Sequence, residues 1–470
     1  MSIIASILAS RSGLLANSTR AQVVSSNIAN AQDETYSKRS VQVTEALGGG
    51  VNVIGIARAM DKAMDALYRT EVAFAAKQDA MSSALSIYTA QLGDLDSETS
   101  IPSLLSAFQN DLGLLANDPG DTSLQQEVLL SAKALSGSLQ SASNAVSAMQ
   151  KQAYTSIDAD VETANKAMSE IARINADIGR AVPGSATYAT LLDRRAEQID
   201  TLSSVMQIEV TYDSESRATV HSSGGQTLVM AGYVNALSFD RATGVLTSGS
   251  EDVTPGVPGK RGTDQGSLAG HVVIATQVAP QTQLELDEIA RSLIEGFEDN
   301  DASLAPGQAG LFTDGGGPLG ATVSSGLAGR ISVNAGADPY RGGDLALLRD
   351  GLGATTPLGM SDSTQVLAWL SFFDSPVAYD PAAGQGGSAR LMDFTNGVFS
   401  AQQGRRVAAE NALSSYVASS ETYRANRLNA RGVNIDTELQ DLQLIGQAYN
   451  ANSQALKVAT EMIDTLLNMV

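Results

Sequence analysis

The sequence lacks cysteine entirely and has only two histidines, His221 and His271. The absence of cysteine excludes disulfide bonds and thiolate chemistry, and it is compatible with any redox compartment. Two histidines without a cysteine cannot supply the ligands of a usual zinc site, and neither histidine lies in an HExxH motif. We therefore expect neither a metal site nor a cofactor.

Long apolar runs are also missing, because no stretch approaches the roughly 20 residues that a membrane span requires. No basic residue precedes the short apolar segment 3–8, so the amino terminus does not resemble a cleaved Sec signal. Taken by itself, the lack of a recognisable Sec signal predicts that the chain stays in the cytosol. Lys and Arg number 30 against 51 Asp and Glu, which gives a formal net charge of −21. An acidic chain is poorly suited to nucleic acid or an anionic membrane surface, so we expect neither as a partner.

Catalytic motifs are missing from the sequence as well: GxSxG, SxxK and GxxxxGK[ST] do not occur. The glycines at 315–317 are followed by Pro318 rather than by a helix start with Lys, which indicates a flexible turn. Glu298, Asp299 and Asp301 resemble part of a calcium loop but lack its central Gly and final Glu, so a solvated acidic loop is favoured. The sequence alone does not exclude a pair of acids for general acid–base catalysis among the 51 carboxylates. We expect no catalytic residue and a protein that is not an enzyme.

The sequence does contain a heptad pattern at each end. Near the carboxyl end, apolar or small residues recur at alternating steps of four and three: Ile435, Leu439, Leu442, Gly446, Tyr449, Ser453, Leu456, Thr460, Ile463, Leu467 and Val470. The first 30 residues have the same spacing, at Ile3, Ile7, Ser10, Leu14, Asn17, Ala21, Val24 and Ile28. Such seams predict helices that each need a partner helix, and we expect the two ends to pair as a coiled coil.

The residues between these ends predict long helices and a smaller β part. Thr122 or Ser123 is expected to cap the longest helix, which ends near Pro183. The fold class is therefore mainly α with a smaller β part, and it contains a long-helix bundle. The predicted domains are a terminal coiled coil (1–57 with 432–470), a helical bundle (58–206 with 263–431), a β-rich insertion (207–262) and an irregular Gly-rich segment (313–361).

Three arginines, Arg424, Arg427 and Arg431, fall on one face of a predicted helix near the second seam. The simpler interpretation is a solvated face. The sharper one is a docking stripe for acidic neighbours.

Short motifs at both ends match one known group of proteins. Residues 25–31, with sequence SSNIANA, resemble the SxNIANxxT signature of bacterial flagellar rod, hook and hook-associated proteins. Residues 35–39, TYSKR, resemble the "TPGYSRQ" segment of the hook-associated protein FlgK family, although Asp33-Glu34 replaces the family's Pro-Gly. Further similarities follow in family order at 50–53, 56–58 with Asp61, 117–119, 192–195, 266–270, 309–312, 433–438, 448–453 and 464–468. On these motifs the chain is identified as a member of the FlgK family.

The resemblance implies a structural role in the bacterial flagellum. In that family the paired terminal helices line the axial core of a tubular polymer and form the junction between hook and filament. The family is exported without a cleaved signal, so the expected location is extracellular, in the flagellum. Implied partners are the hook protein, the second junction protein, further copies in the junction ring and an export chaperone at the C-terminal region. The short segment 313–361 implies that the family's outer β domain is reduced.

The residues expected to make assembly contacts lie on the two seams and in the NIAN motif. They are Ile7, Leu14, Val24, Asn27, Ile28, Asn30, Ile435, Leu439, Leu442, Tyr449, Leu456, Ile463 and Leu467. We also expect the small residues Gly446, Ser453 and Thr460 to permit close approach in a crowded axial core.

Other functions remain open at this point. A hook, distal-rod or second junction protein would share the terminal helices, but Tyr36-Ser37 and the long helices of 60–180 favour the first junction protein. A flagellum-associated cell-wall hydrolase is the alternative from a different class. It would need an acid pair in a cleft, and a peptidoglycan zymogram would detect its activity.

Overall fold

The computed structural model describes residues 3–46, 49–92, 97–320 and 324–468, and the seam position Val470 lies outside them. Helices dominate, and small antiparallel sheets make up the β part, which confirms the predicted fold class. The helices are α1 (Ile3–Ala29), α2 (Lys62–Leu92), α3 (Ile101–Asn117), α4 (Thr122–Arg180), α5 (Ala186–Val205), α6 (Ser267–Val273), α7 (Ala279–Asp299), α8 (Leu347–Asp350), α9 (Thr364–Asp374), α10 (Leu391–Arg431) and α11 (Ile435–Leu467). No described helix is both long and apolar enough to cross a membrane.

The strands pair in small antiparallel sheets. They are β1 (Arg39–Glu45), β2 (Val51–Arg58), β3 (Ile208–Tyr212), β4 (Ala218–Ser222), β5 (Thr227–Met230), β6 (Tyr233–Val234), β7 (Leu237–Asp240), β8 (Val245–Ser248), β9 (Glu251–Asp252), β10 (Phe312–Asp314), β11 (Ile331–Val333), β12 (Val377–Ala378) and β13 (Ser388–Ala389). The sheet orders are β1-β2, β3-β4-β5-β6, β7-β8-β9, β10-β11 and β12-β13.

The chain forms two compact units. Unit 1 contains Met1–Ala76, Ala159–Ala269 and Ser414–Val470, and unit 2 contains Lys77–Asp158 and Gly270–Leu413. The bounds of the units fall inside α2, α4, α6 and α10. These units do not coincide with the domains proposed from sequence, and that finer division stays a prediction.

Unit 1 holds both terminal helices and the hairpin β1–β2. Helix α1 packs against α11 and against both strands of the hairpin. Gly55 in β2 and Gly184 in the turn before α5 both have positive φ, at 157° and 75°. A Cβ built on Gly55 would lie 3.0 Å from the Cα of Gly184, so both positions need glycine for the backbones to approach. Ile56 N donates to Gly184 O at 2.7 Å and fixes this contact.

The predicted β insertion, 207–262, forms seven strands of unit 1. Asn175 of α4 is fully buried, and its amide pairs with the main chain of Ala218, at 2.9 Å from Ala218 N and 2.8 Å to Ala218 O. The guanidinium of Arg195 also donates to Asn175 Oδ1, at 3.1 Å, and lies over the Tyr212 ring. Burial is the main cause that lowers the pKa of Arg195 to about 10. Polar side chains thus anchor the first sheet to the helices beside it.

Unit 2 is built around aromatic side chains that contact α7. The Phe297 ring lies 5.5 Å from Phe108, 5.1 Å from Phe312 and 5.3 Å from Trp369, measured between ring centroids. All four side chains are fully buried, and Trp369 Nε1 donates to Phe297 O at 3.3 Å. Aromatic groups of this size contribute much of the free energy of a core.

The irregular segment 313–361 is held by carboxylates of unit 2. Asp287 of α7 accepts hydrogen bonds from Gly326 N at 2.7 Å and Ala328 N at 2.8 Å. Glu298 of α7 accepts one from Leu319 N at 3.2 Å. Burial raises the pKa of Asp287, and the two main-chain donors oppose that shift. The main chain at Leu319, Gly326 and Ala328 is therefore held in place although the sequence there shows no periodicity.

The first turn of α4 differs from the prediction. Asp121, not Thr122 or Ser123, provides the cap, because its Oδ1 accepts a hydrogen bond from Ser123 N at 2.7 Å. Asp is one of the preferred N-cap residues, and it satisfies one of the free N–H groups of the first turn.

Candidate assembly site

Asn27 of the NIAN motif uses its whole side chain to join α1, the hairpin and α11. Its Nδ2 donates to Glu438 Oε2 at 2.8 Å and to Arg39 O at 2.9 Å. Its Oδ1 accepts from Tyr36 OH at 2.8 Å and from Arg39 N at 3.1 Å. Asn27 is fully buried, so an unpaired amide there would be costly. Together with Lys38, these residues form what we name the terminal joint: Asn27, Tyr36, Lys38, Arg39 and Glu438.

Glu438 fixes the beginning of α11 to the terminal joint. It is 1% exposed and lies in the first turn of α11, where a carboxylate also interacts favourably with the helix dipole. Lys38 Nζ lies 2.6 Å from Glu438 Oε1. Asn434 caps the same turn by accepting from Thr437 N at 3.0 Å. Because removal of one partner would leave a buried charge without compensation, the pair positions α11 strongly.

The terminal joint also contacts α5 in unit 1. Asp193 lies 3.0 Å from Arg39 Nη2 and 2.5 Å from Arg58 Nε, so its carboxylate holds both strands of the hairpin. The guanidinium of Arg39 stacks over Tyr36, 4.7 Å from the ring centroid. Burial raises the pKa of Tyr36, which keeps its hydroxyl protonated as a donor to Asn27.

The three arginines near the end of α10 pair within the chain. Arg427 is buried, and its Nε lies 2.5 Å from Asp65 Oδ1. Arg424 pairs with Glu34, and Arg431 donates to Glu34 O at 2.8 Å. Burial lowers the pKa of Arg431. Neither interpretation from sequence was right for Arg427 and Arg431, because intramolecular partners, rather than solvent or acidic neighbours, occupy these side chains.

The two terminal helices run antiparallel, because Asn27 meets Glu438 while Gly13 lies against Asn452. The side chains of α11 that are buried or half-buried are Glu438, Leu442, Ile445, Asn452, Leu456, Ala459 and Ile463. Leu442, Leu456 and Ile463 belong to the predicted seam. At alternate positions the packed residue lies one place earlier than predicted: Ile445 instead of Gly446 and Ala459 instead of Thr460.

Four predicted contact residues of α11 are therefore not packed within the chain. Ile435 is 43% exposed, Leu439 46%, Tyr449 46% and Leu467 70%. Sequence reasoning missed Glu438 and Asn452 because a heptad search favours apolar residues in the seam. Glu438 is compensated by Asn27 and Lys38, whereas Asn452 fits because it lies against a glycine. The match of 433–438 to the family motif was the available signal for Glu438.

On α1, the predicted residues lie at several depths. Val24 and Asn27 are buried, whereas Ile7, Leu14 and Ile28 are half-buried. Asn30 is exposed, and its Nδ2 donates only to Ser26 O, at the end of the same helix, at 2.7 Å. Contacts of any of these residues with a partner remain a prediction.

Close approach of the terminal helices occurs at Gly13 rather than at Gly446. A Cβ built on Gly13 would lie 2.9 Å from two side-chain atoms of Asn452, whereas one built on Gly446 would meet open space. Within the chain, Gly446 is therefore not needed for packing. Its predicted role in a crowded core would require a neighbouring molecule.

A groove of about 410 Å³ opens beside the terminal joint. Arg20, Val41, Asp441 and Leu444 are among its lining residues, so it combines apolar walls with charges of both signs. Among the described residues, no three His, Asp or Glu side chains are grouped as a metal ion would require. The expected absence of metal, cofactor and catalytic residues stays a prediction.

Two family descriptions match parts of this chain. "Flagellar hook-associated protein FlgK helical domain" matches residues 91–303. "Flagellar basal body rod FlgEFG protein C-terminal" matches residues 424–469, which include α11 and Glu438 of the terminal joint.

Two relatives match nearly the whole chain. "Flagellar hook-associated protein 1" of Bacillus subtilis is 22% identical over 97% of this chain and 96% of its own. The protein of the same name from Salmonella typhimurium is 23% identical over 97% of this chain and 98% of its own. The solved hook junction protein FlgK from Burkholderia pseudomallei aligns with a TM-score of 0.44 and 20% identity, over 53% of this chain and 47% of that one. The family match to the helical domain and these relatives agree: over nearly its whole length the chain is similar to the flagellar hook-associated protein FlgK family.

Proposed function

We propose that this chain is a structural subunit of the bacterial flagellum and forms the junction between hook and filament. It does so by head-to-tail polymerisation through α1 and α11. Similarity to the FlgK family and the relatives named hook-associated protein 1 support the junction role. The observation that supports assembly through these helices is the structure of the α1–α11 pair. The terminal joint holds the pair at one end, whereas Leu439, Tyr449 and Leu467 of α11 remain exposed. Contacts of this heterologous kind build rings or open helical arrays.

The finer parts of the proposal concern partners and location. The hook protein, the second junction protein and further copies of this chain are proposed to cover the terminal helices. An export chaperone is proposed to hold the C-terminal region before assembly, and the protein acts outside the cell after export without a cleaved signal. These parts rest on the family resemblance and on the exposed apolar side chains of α11, which need cover in any aqueous compartment.

Deletion of 434–470 tests the junction role. Because α11 lies outside unit 2, we expect the truncated protein to keep a folded unit 2, detected by the fluorescence of its single Trp. Without α11, the protein should not incorporate between hook and filament, and cells should lose swimming. Immunogold electron microscopy of flagella locates the protein. Normal swimming by cells that carry only the truncated protein would contradict the proposal.

A point substitution separates assembly from stability. Leu456 is half-buried on the face of α11 towards α1, and Gln454, two residues earlier, is exposed on another face. Leu456→Asp should reduce incorporation or chaperone capture more than it lowers the melting temperature of unit 2. Gln454→Asp adds the same charge without disturbing the helix pair and serves as the control. Equal losses of incorporation and unit 2 stability for Leu456→Asp would mean that α11 belongs to the folded core.

A hook or rod protein is the second candidate, favoured by the rod-protein description that matches 424–469. The helical-domain match over 91–303 favours the junction protein instead. Complementation of bacteria that lack either the hook or the first junction protein distinguishes the two. We expect this chain to restore filament attachment to existing hooks and not to restore hook growth.

A further inference from the structure

Three buried hydrogen-bond donors beside the terminal joint have no acceptor among the residues that the structure describes. They are Ser37 Oγ, Arg39 Nε and Arg431 Nε. Ser37 is fully buried, and Arg431 is 7% exposed. A buried N–H or O–H group without a partner costs free energy, so native structures rarely leave one unpaired. Three of them in one region need an explanation.

Hydrogen bonds bring these three residues together. Lys38 N donates to Arg431 O at 2.8 Å, so the end of α10 lies against the segment that leads into β1. Arg431 Nη2 donates to Glu34 O at 2.8 Å, so its guanidinium lies along the same segment. Ser37 and Arg39 are two residues apart at the start of β1, the spacing that places side chains on one face of an extended chain. We name Ser37, Arg39 and Arg431 the donor cluster.

Arg431 is a buried cation that forms no salt bridge within the described part of the chain. Its guanidinium donates to the carbonyl of Glu34, which is uncharged, and burial lowers the pKa of Arg431. Asp33 lies in the preceding turn, but its carboxylate is exposed and accepts hydrogen bonds from Thr35, which lower its pKa. Buried charges in proteins are normally paired, so the guanidinium of Arg431 needs an anion.

The wider surroundings of the donor cluster are also positively charged. One carboxylate, Asp193, serves both Arg39 and Arg58, at 3.0 and 2.5 Å. Five arginines against three aspartates leave two positive charges in this part of unit 1: Arg39, Arg58, Arg69, Arg427 and Arg431 against Asp65, Asp193 and Asp200. The pair of Lys38 and Glu438 adds one charge of each sign. The surplus is local, because the whole chain has a formal charge of −21.

We propose that the donor cluster binds a small inorganic anion, of which chloride is the most common. The anion accepts hydrogen bonds from Ser37 Oγ, Arg39 Nε and Arg431 Nε, and two of these bonds are strengthened by charge. A water molecule satisfies donors but leaves the surplus charge uncompensated, whereas an anion does both. The three donor atoms are closed off from solvent, which suits a monatomic ion better than phosphate or sulfate. The proposal goes beyond the junction role and does not depend on it.

The bound anion connects β1 with the turn between α10 and α11. Arg431 is the last residue of α10, and α11 begins four residues later at Ile435. A ligand that binds only the closed arrangement stabilises that arrangement by mass action. Halide concentration therefore determines how firmly the end of α10 is held against β1, beside the bonds of the terminal joint.

Amide exchange of the full-length protein in different salts tests the proposal. The probes are sodium chloride and sodium bromide, each compared with sodium gluconate at the same ionic strength, because equal ionic strength gives equal screening. When halide exceeds its dissociation constant tenfold, exchange at 36–40 and 428–434 should slow by roughly tenfold. Exchange in α7 should not change. Equal slowing in gluconate, or no dependence on halide, would overturn the proposal.

Ser37→Ala gives a result that depends on the salt. Without halide, the substitution removes a buried hydroxyl that has no partner, so exchange at 36–40 should not become faster. With bromide, the same substitution removes a ligand, so the dissociation constant read from the exchange titration should rise about tenfold. Ser40→Ala is the matched control, because Ser40 is exposed, and its dissociation constant should equal that of the unmodified protein. An unchanged dissociation constant in Ser37→Ala would mean an adventitious ion only.

Anomalous diffraction locates the ion directly. Crystals of the full-length protein grown in bromide should give a bromine peak in contact with Ser37 Oγ and with both Nε atoms of the donor cluster. Ser37→Ala crystals grown in the same salt should give a weaker peak or none. A buried water at this place without a bromine signal, or bromide on the protein surface alone, would contradict the proposal.

Discussion

Helices α7 and α11 show how differently the same secondary structure is used in the two units. Most of the 21 residues of α7 are buried, including Phe297 and three carboxylates, whereas only Glu438 and Ala459 are buried among the 33 residues of α11. The interior around α7 therefore needs nothing from outside the chain. The surface of α11 is covered along one side only, so many of its side chains remain available to pack against another molecule.

The difference follows from composition. Helix α7 is surrounded by aromatic rings, and each large ring contributes substantially to the free energy of unfolding. Helix α1, the partner of α11, offers mainly Ala, Ser, Asn and a few aliphatic residues. Ordering a residue costs about 1–2 kcal/mol of backbone entropy, which thin packing offsets poorly. We infer that, within the pair of terminal helices, stability is concentrated at the terminal joint and declines along α1 and α11 away from it.

The largest expected effect is in unit 2, for Phe297→Ala. Phe297 is fully buried in the aromatic cluster, so its removal should lower the free energy of unfolding by about 3–5 kcal/mol. The matched substitution in α11 is Leu466→Ala, because Leu466 is 54% exposed and should change that free energy by less than about 0.5 kcal/mol. Denaturation followed by Trp369 fluorescence gives the first value, and far-UV circular dichroism gives the second. Similar losses for both variants would remove the contrast between α7 and α11.

The next effect is at the terminal joint. Asn27→Ala would remove the hydrogen bonds to Glu438 Oε2 and to the Arg39 main chain and leave Lys38 as the remaining partner of the buried carboxylate, so it should lower the local opening free energy by about 1–3 kcal/mol. Amide exchange at the end of α1 and the start of α11 measures this quantity. Asn30→Ala is the matched control, since the Asn30 side chain donates only to the end of the helix that precedes it. Equal exchange in the two variants would show that the NIAN motif does not hold the joint.

Sequence reasoning predicted the elements better than their partners. Periodicity located the terminal helices, the long α4 and the β insertion, because spacing determines which face of an element is apolar. Periodicity did not determine which of two neighbouring sets of positions on α11 faces α1. The positions of α11 that pack against α1 include Glu438 and Asn452, and their partners, Asn27 and Gly13, lie near the opposite end of the sequence.

The irregular segment 313–361 shows the same limit. Asp287 and Glu298 of α7 bind the main chain of its residues Leu319, Gly326 and Ala328, although sequence reasoning treats both as ordinary helix acids. Similarly, the sequence pattern predicts that Arg427 lies on a solvated or docking face, whereas in the fold its guanidinium is buried beside Asp65. Hydrophobic periodicity predicts which face of an element is apolar. It does not predict which buried polar groups pair with each other, because that pairing depends on the tertiary fold. The family motifs carried that missing information in part, because Asn27 and Glu438 lie within two of them.

Alkaline pH should weaken the terminal joint. Burial raises the pKa of Tyr36 above its ordinary value of 10.0. Above pH 10 the unfolded chain loses the phenolic proton before the folded chain does, so the contribution of Tyr36 is present below that pH and is lost as pH rises through the raised value. Tyr36→Phe should lower joint stability by about 0.5–1.5 kcal/mol at neutral pH and reduce its alkaline decline. Limited proteolysis between α1 and β1 on both sides of pH 10 measures the opening. An unchanged alkaline decline in Tyr36→Phe would assign it to other groups.

The smallest effect distinguishes packing within the chain from packing against a neighbour. Gly446→Ala places a methyl group in open space, so it should stabilise α11 by about 0.5–1 kcal/mol through helix propensity alone. Gly13→Ala gains the same propensity but presses on Asn452, so its net gain should be smaller. Amide exchange of the two helices compares the variants in the free protein. If Gly446→Ala stabilises the free chain yet lowers incorporation into flagella, the uncovered side of α11 is a contact surface in the assembly. If it destabilises the free chain, that side is already covered, and α11 resembles α7 more closely than its exposed side chains indicate.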